Sequence, residues 1–440
     1  MSKGLAWATV LLALPSLAAG QGQKMPPLPP ATPPATAPAA PASAPVKISL
    51  EEAIRLSLQH NHALQAARTT ILQNQAEEVT ANLRPNPTLS WDSQFFPLFS
   101  PSQFSADYLE NQAQFDVGIG YLIERGKKRQ HRLQAAKDQT AVSRSTVSDN
   151  ERTLIFNTTQ QFISVLLAQS TLDLAKRDAE SFQQTVNISE SRYKTGDMSE
   201  SDLLKIKLQL LQFQTDLSAA KLAKIQALAG LRQFLGFESV ADDFDVSGEL
   251  DYKPVHADLQ ALKGLAMQNR PDLRAAQESV TAARSQEALE RANGKKDLSV
   301  SFDYTHTAGI NSGAFFFNID LPIFDRNQGE IAKARFAITQ AEETAVETAQ
   351  QVNTDIVDAY AALRSNDEII QLYQNGYIDQ AKQSRDITEY AYKRGAASLL
   401  DFLDAERTYR SNQLAYRQAL ASYMTALEQM RQAVGTRDLP

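Results

Sequence analysis

The sequence predicts a mainly α-helical fold with a membrane β part: long antiparallel coiled-coil helices plus four β-strands per chain, built as an internal two-fold repeat. Three observations predict it. One turn motif occurs twice, two stretches are too long to be globular helices, and four short segments alternate apolar with small or polar residues.

The repeated motif sets the architecture. Tyr193-Lys194-Thr195-Gly196 runs into Ser199-Glu200-Ser201-Asp202, and Tyr392-Lys393-Arg394-Gly395 runs into Ser398-Leu399-Leu400-Asp401. Each Gly suits a left-handed helix C-cap, and each Ser-x-x-Asp suits an N-cap with an acid at N3. Both copies therefore read as tight turns between antiparallel helices. Leu64-Gln65-Ala66-Ala67 likewise matches Leu273-Arg274-Ala275-Ala276. Each half reads helix, strand pair, very long helix, tip turn, helix, with the longer inter-strand loop in the first half. The expected boundaries are 47–245 and 256–440 for the two repeats, with 246–255 joining them.

The chain opens with Lys3, an apolar run from Leu5 to Leu14 and small residues at Ala18-Ala19-Gly20, the order of a secretory signal peptide over 1–20. Residues 21–46 form a linker rich in Pro and Ala. There is no cysteine, which argues against disulfides, a thiolate metal site and a lipid anchor. With a net charge of -7 and no basic cluster, nucleic acid is not an expected partner.

From Lys127 to Thr195 there is neither Gly nor Pro, enough for a helix of about 100 Å at 1.5 Å per residue. Glu330 to Asn375 is similarly clean, and Gly376 offers a bend before Tyr377 to Arg394. Leu203, Ile206, Leu210, Phe213, Leu217 and Ala220 step by threes and fours, as does a series from Leu399 to Met430 with polar interruptions at Glu406 and Gln413. That spacing is the seam of a left-handed coiled coil. An ordinary coiled-coil rod would give the same helices.

The strands discriminate. Leu89, Trp91 and Phe95; Phe115, Val117, Ile119 and Tyr121; Leu298, Val300, Phe302 and Tyr304; and Phe315, Phe317, Ile319 and Leu321 each alternate with residues that are mostly small, polar or acidic. Each segment has the length of a tilted membrane strand, and the alternation fits lipid on one face and water on the other. Four strands cannot close a barrel, and lipid tolerates no open edge. Three copies would supply about twelve strands around a watery lumen, with the helices projecting from the barrel as a periplasmic tunnel.

The motif from Tyr392 to Ala405 resembles the second tip turn and last helix of the TolC-like outer-membrane efflux proteins, and the resemblance runs from Lys47 to Gly435. Glu124-Arg125-Gly126-Lys127-Lys128-Arg129 and the run from Leu321 to Gly329 are most similar to the cobalt–zinc–cadmium branch. The resemblance implies a homotrimer in the outer membrane of a Gram-negative-type cell, without enzymatic activity or cofactor. It implies a passive exit duct working with a periplasmic membrane-fusion adaptor and an inner-membrane pump, of the RND type, and exporting heavy-metal cations; organic cargo is the alternative. A free-standing porin fits less well, because diffusion needs no long helical extension.

The resemblance places Asp401 and Asp404 at the periplasmic entrance, where three copies would form acidic rings that favour cations. Asp401 fits equally as a capping acid, whereas Asp404 has no capping role. Asp202, the counterpart of Asp401, is expected to cap. Tyr392 and Asp202 match positions of the family's closing bond, but its usual arginine falls on Ala397 here. The tip turns Thr195-Gly196-Asp197-Met198-Ser199 and Arg394-Gly395-Ala396-Ala397-Ser398 would face the adaptor, with Met198 exposed for docking. His60 and His62 fall on different helical faces, and no catalytic or metal-ligating pattern appears.

Overall fold

The computed structural model describes residues 46–439. The signal peptide at 1–20 and nearly all of the linker at 21–46 lie outside the described residues. β1 (Lys47–Ile48) leads into α1 (Leu50–His60) and α2 (His62–Ala81), then β2 (Thr88–Gln94), a short α3 (Ala106–Asn111) and β3 (Gln114–Ile123). The long α4 (Lys128–Lys194) descends to the first tip, and α5 (Glu200–Leu235) returns to β4 (Asp245–Val246). The second half repeats the order: α6 (Leu259–Asn269), α7 (Pro271–Asn293), β5 (Leu298–Thr307), β6 (Ile310–Ile319), α8 (Gln328–Leu372), α9 (Ile378–Lys393) and α10 (Leu399–Val434).

Where one helix was expected to open each half, there are two. Asn61 is extended (φ -68°, ψ 114°), and its Oδ1 accepts the Leu64 N–H at 3.1 Å. It therefore ends α1 and caps α2. Arg270 takes the same conformation (φ -69°, ψ 119°) because it precedes Pro271, which disfavours the helical region for its neighbour. Arg270 is also a structural tie. Its buried guanidinium meets Asp272 at 2.5 Å and Asp355 of α8 at 2.7 Å, and donates to the Ala433 carbonyl of α10 at 3.3 Å.

α4 is 67 residues long. The strand-to-helix change occurs where Gly126 (φ 71°) and Lys127 (φ 60°) are both left-handed. At the second junction Asn327 (φ 63°) does the same before α8, and its side chain donates to the Glu290 carbonyl at 2.8 Å. The junction charges are engaged: Glu124 accepts from Arg132 at 2.8 Å, Lys128 meets Asp297 at 2.7 Å, and Asp325 meets Lys296 at 3.4 Å.

The expected bend at Gly376 is a turn of π-helix over Tyr373–Tyr377, with Asn375 (ψ 20°) and Gly376 (φ 100°) outside helical geometry. Helix seams also form where the three-and-four spacing puts them. Leu203, Ile206, Phe213 and Ala220 of α5 are buried, as are Leu399, Phe402, Leu420, Tyr423 and Met430 of α10. Two equivalent cores close the upper ends of the repeats. Leu231 and Leu235 pack with α1, β1 and β4, while Met430 and Val434 pack with α6 and α7.

The four long strands form one antiparallel sheet in the order β2-β3-β5-β6. A two-residue turn at Ala308 (φ 51°) and Gly309 (φ 75°) joins β5 to β6, the left-handed pair that a tight hairpin requires. Phe95, expected within the first strand, lies just beyond it with φ 61°. β2 and β6 are the sheet edges.

Candidate functional site

Both tip turns are built by the same capping chemistry. At the first, the Asp197 N–H donates to the Arg192 carbonyl at 2.8 Å and Gly196 N–H to Tyr193 at 3.1 Å, with Gly196 at φ 79°. At the second, Ala396 N–H donates to Ala391 at 2.9 Å and Gly395 N–H to Tyr392 at 3.0 Å, with Gly395 at φ 75°. These are Schellman closures, in which a left-handed residue lets two N–H groups satisfy the last helix carbonyls. A Cβ on either glycine would meet nothing within 4 Å. Backbone conformation, not space, is what requires glycine there.

The helices then restart on serine. Ser199 Oγ accepts the Asp202 N–H at 3.1 Å. Ser398 and Asp401 complete a reciprocal capping box, with Asp401 N–H donating to Ser398 Oγ at 3.1 Å and Ser398 N–H to Asp401 Oδ2 at 3.1 Å. Hydrogen bonds from the Ser398 hydroxyl and backbone hold the Asp401 carboxyl below its usual range. Asp202 is lowered too, by bonds with Ser199 and Lys205. Asp404 takes no part in the cap; it is exposed and pairs with Arg407 at 2.5 Å. Thr195 Oγ1 donates to Asp197 Oδ2 at 2.8 Å, stiffening the first turn.

Most tip residues are exposed: Thr195, Gly196, Asp197, Ser199, Arg394, Gly395, Ala396 and Ser398, with Ala397 half-buried. Met198 corrects its expectation. It is half-buried and packs on the core beneath the tip, because its apolar side chain folds back onto the hairpin it closes. It therefore offers less docking surface than a fully exposed residue would.

That core joins all four tip helices through a ladder of rings. Phe182 of α4 lies 4.7 Å from Phe213 of α5 and 6.5 Å from Phe402 of α10, and Phe402 stacks on Tyr392 of α9 at 5.1 Å. Arg192 sits over the Tyr392 ring at 5.7 Å. Burial, chiefly, raises the Tyr392 phenol above its ordinary range. Among the described residues nothing hydrogen-bonds its hydroxyl, and Asp202 is engaged by Ser199 and Lys205 instead.

Above the ladder lies a belt of half-buried charge that sequence reading missed. Arg410 of α10 pairs with Asp216 of α5 and, at 3.5 Å, with Asp178 of α4. Arg385 of α9 meets Glu406 of α10 at 3.8 Å and Glu389 at 3.5 Å. Burial raises both Asp178 and Glu406, against the opposing pull of the nearby arginines. The available signal was Glu406, the charged one of two polar interruptions in the α10 seam.

At the other end, the sheet places Leu89, Trp91, Val117, Ile119, Phe315 and Phe317 on one face, all exposed in the single chain. The opposite face carries Asp92, Asp116 and Asp303, with Asp92 paired across to Asp116. Glycine at 118 leaves room for Asp303, whose Oδ1 would lie 1.8 Å from an added Cβ. Among the described residues no cluster of ligating side chains could hold a metal, and no helix is long and apolar enough to cross a membrane.

The model of the outer membrane efflux protein family matches residues 53–237 and 262–436, one match on each repeat. The cobalt-zinc-cadmium resistance protein CzcC of Cupriavidus metallidurans is 24% identical over 394 residues, covering 89% of each chain. A crystal structure of CusC superposes with a TM-score of 0.73 at 18% identity, over 90% of this chain and 95% of that one. The open-state MtrE channel of Neisseria gonorrhoeae gives 0.72 at 18% identity, over 91% and 94%. These superpositions establish the fold.

Proposed function

The chain belongs to the outer membrane efflux protein family, and from that premise we propose that it exports heavy-metal cations as the trimeric exit duct of a specific adaptor and pump. Its location in the outer membrane and its role as an efflux channel rather than an enzyme follow from the family. Heavy-metal cargo goes one step beyond the family. One observation carries it: the similarity to a cobalt-zinc-cadmium resistance protein extends over 89% of both chains.

In this reading the tip turns at 195–199 and 394–398 dock the hairpins of a membrane-fusion adaptor fed by an RND-type pump. Asp401, Asp404, Asp202 and Tyr392 surround the entrance. The duct itself needs only weak attraction for passing cations, since a tight cage would trap them. The acidic inner sheet face supports that, because Asp92, Asp116 and Asp303 would repeat in every copy around the lumen.

Deletion of the gene in its native host, followed by complementation, tests the cargo. Growth inhibition by cobalt, zinc and cadmium should rise on deletion, with higher cell-associated metal, and return to normal on complementation. Sensitivity that changes only for organic toxicants would replace metal cargo with organic cargo.

A further inference from the structure

α5 carries a second seam that nothing among the described residues covers. Leu204, Leu208, Leu211, Leu222 and Ile225 are large and exposed, and Thr215 and Ser218 continue the same spacing of threes and fours between them. Leu208 is 67% and Leu211 58% exposed, on a helix whose other seam is buried. α9 carries a matching line: Gln380, Gln383, Ile387 and Tyr390, the last two each 61% exposed. These two helices flank the packed α4–α10 pair, so they stand at opposite ends of the four-helix row within one chain.

We propose that α9 of one copy lies antiparallel along α5 of the next, with Tyr390 over Leu208, Ile387 over Leu211, Gln383 over Thr215 and Gln380 over Ser218. The proposal rests on the reading of the chain as a ring-forming duct. The occupant is a second copy because the sheet demands the same neighbour. Edge strand β6 runs on toward α8 and α9, while edge strand β2 belongs to the repeat that ends in α5. Joining β6 of one copy to β2 of the next therefore brings these two helical edges together as well.

Level and chemistry fix the register. The ring ladder from Phe213 through Phe182 and Phe402 to Tyr392 holds α5 and α9 level to within about one heptad, and rotation about the tunnel axis carries that level from copy to copy. That leaves the neighbouring heptad registers. One heptad toward the barrel on α5 sets Tyr390 and Ile387 on Thr215 and Ser218. One heptad toward the tip sets Leu208 and Leu211 on Gln383 and Gln380. Only the proposed register puts apolar on apolar and polar on polar. At its flank Lys221 stands opposite Asp379 and Gln214 opposite Asp386. Lys207 comes opposite Lys393, but Glu190 already neutralises the first at 2.7 Å and Glu389 the second at 2.6 Å.

A chain without cysteine is suited to a cross-linking test in native outer membranes. Leu211→Cys with Ile387→Cys in one chain should give disulfide-linked dimers and trimers under mild oxidation. Leu204→Cys with Ile387→Cys, and Ser218→Cys with Ile387→Cys, report the two slipped registers and should not cross-link. Lys221→Glu should lower the yield of the productive pair, by about two- to five-fold if the ion pair is worth up to about 1 kcal/mol, and Asp379→Lys should restore it. Heat-resistant trimers that fail to cross-link at 211/387, or that cross-link only in a slipped pair, overturn the seam and leave the duct standing. Absence of any trimer overturns both.

Discussion

At the level of single residues, the tips owe their shape to Gly196 and Gly395. An L-residue in the left-handed region costs about 1–2 kcal/mol, and open space around both glycines removes any steric component. Gly395→Ala should therefore leave trimers intact while loosening the hairpin, seen as faster hydrogen exchange at residues 391–399 and reduced export. Unchanged exchange would mean that the turn absorbs the strain elsewhere. Asp404 offers a charge-only test, because it has no capping role to lose. Asp404→Asn in reconstituted channels should lower cation selectivity with trimer stability unchanged; unaltered selectivity would remove Asp404 from the lumen. The capping residues were legible in sequence because caps are local chemistry. Met198 was not, since whether a side chain folds back or points outward depends on the partner helices beneath it.

Among the elements, the long helices and their bend were legible from absent Gly and Pro, the seams from spacing, and the strands from alternation. The charged belt was not, because its partners come from α4, α5, α9 and α10 and are far apart in sequence. That belt makes a pH prediction. Asp178 faces Arg410, Arg417, Arg177 and Arg385; Glu406 faces Arg385, Arg410, Asp178 and Glu389. Burial leads in raising both carboxyls, so the folded state holds protons at pH values where the unfolded chain has released them. Stability then rises as pH falls from above the raised values toward the ordinary carboxylate range, and it declines again as pH rises through them. Limited proteolysis or hydrogen exchange at the tips should show tighter protection at mildly acidic pH than at pH 8. Glu406→Gln should flatten that dependence, since it removes one of the titrating groups while keeping the shape. A steeper dependence in the variant would assign the effect to other groups.

The whole molecule reads as one building plan used twice, and each copy of the chain remains incomplete on its own. The sheet exposes a face of Leu89, Trp91, Val117, Phe315 and Phe317 and leaves β2 and β6 as edges; neither is sustainable in lipid until neighbouring copies close the ring. Sequence alternation identified the two faces but not strand order, because pairing β3 with β5 joins two repeats and is a long-range choice. The register now makes the barrel testable at single positions. Val117 lies opposite Tyr304 in the middle of the sheet, and Ser301 lies opposite Gly120 on the other face. Arginine on the lipid face near mid-membrane costs about 2–4 kcal/mol, whereas lumen positions tolerate charge. Val117→Arg and Phe317→Arg should therefore reduce heat-resistant trimers in the outer-membrane fraction, and Ser301→Arg should assemble normally. Ser301→Arg should also shift ion selectivity toward anions, since it places one new cation per copy in the lumen beside the Asp303 ring. Equal tolerance at Val117 and Ser301 would show that the two faces see the same solvent, which no membrane barrel allows.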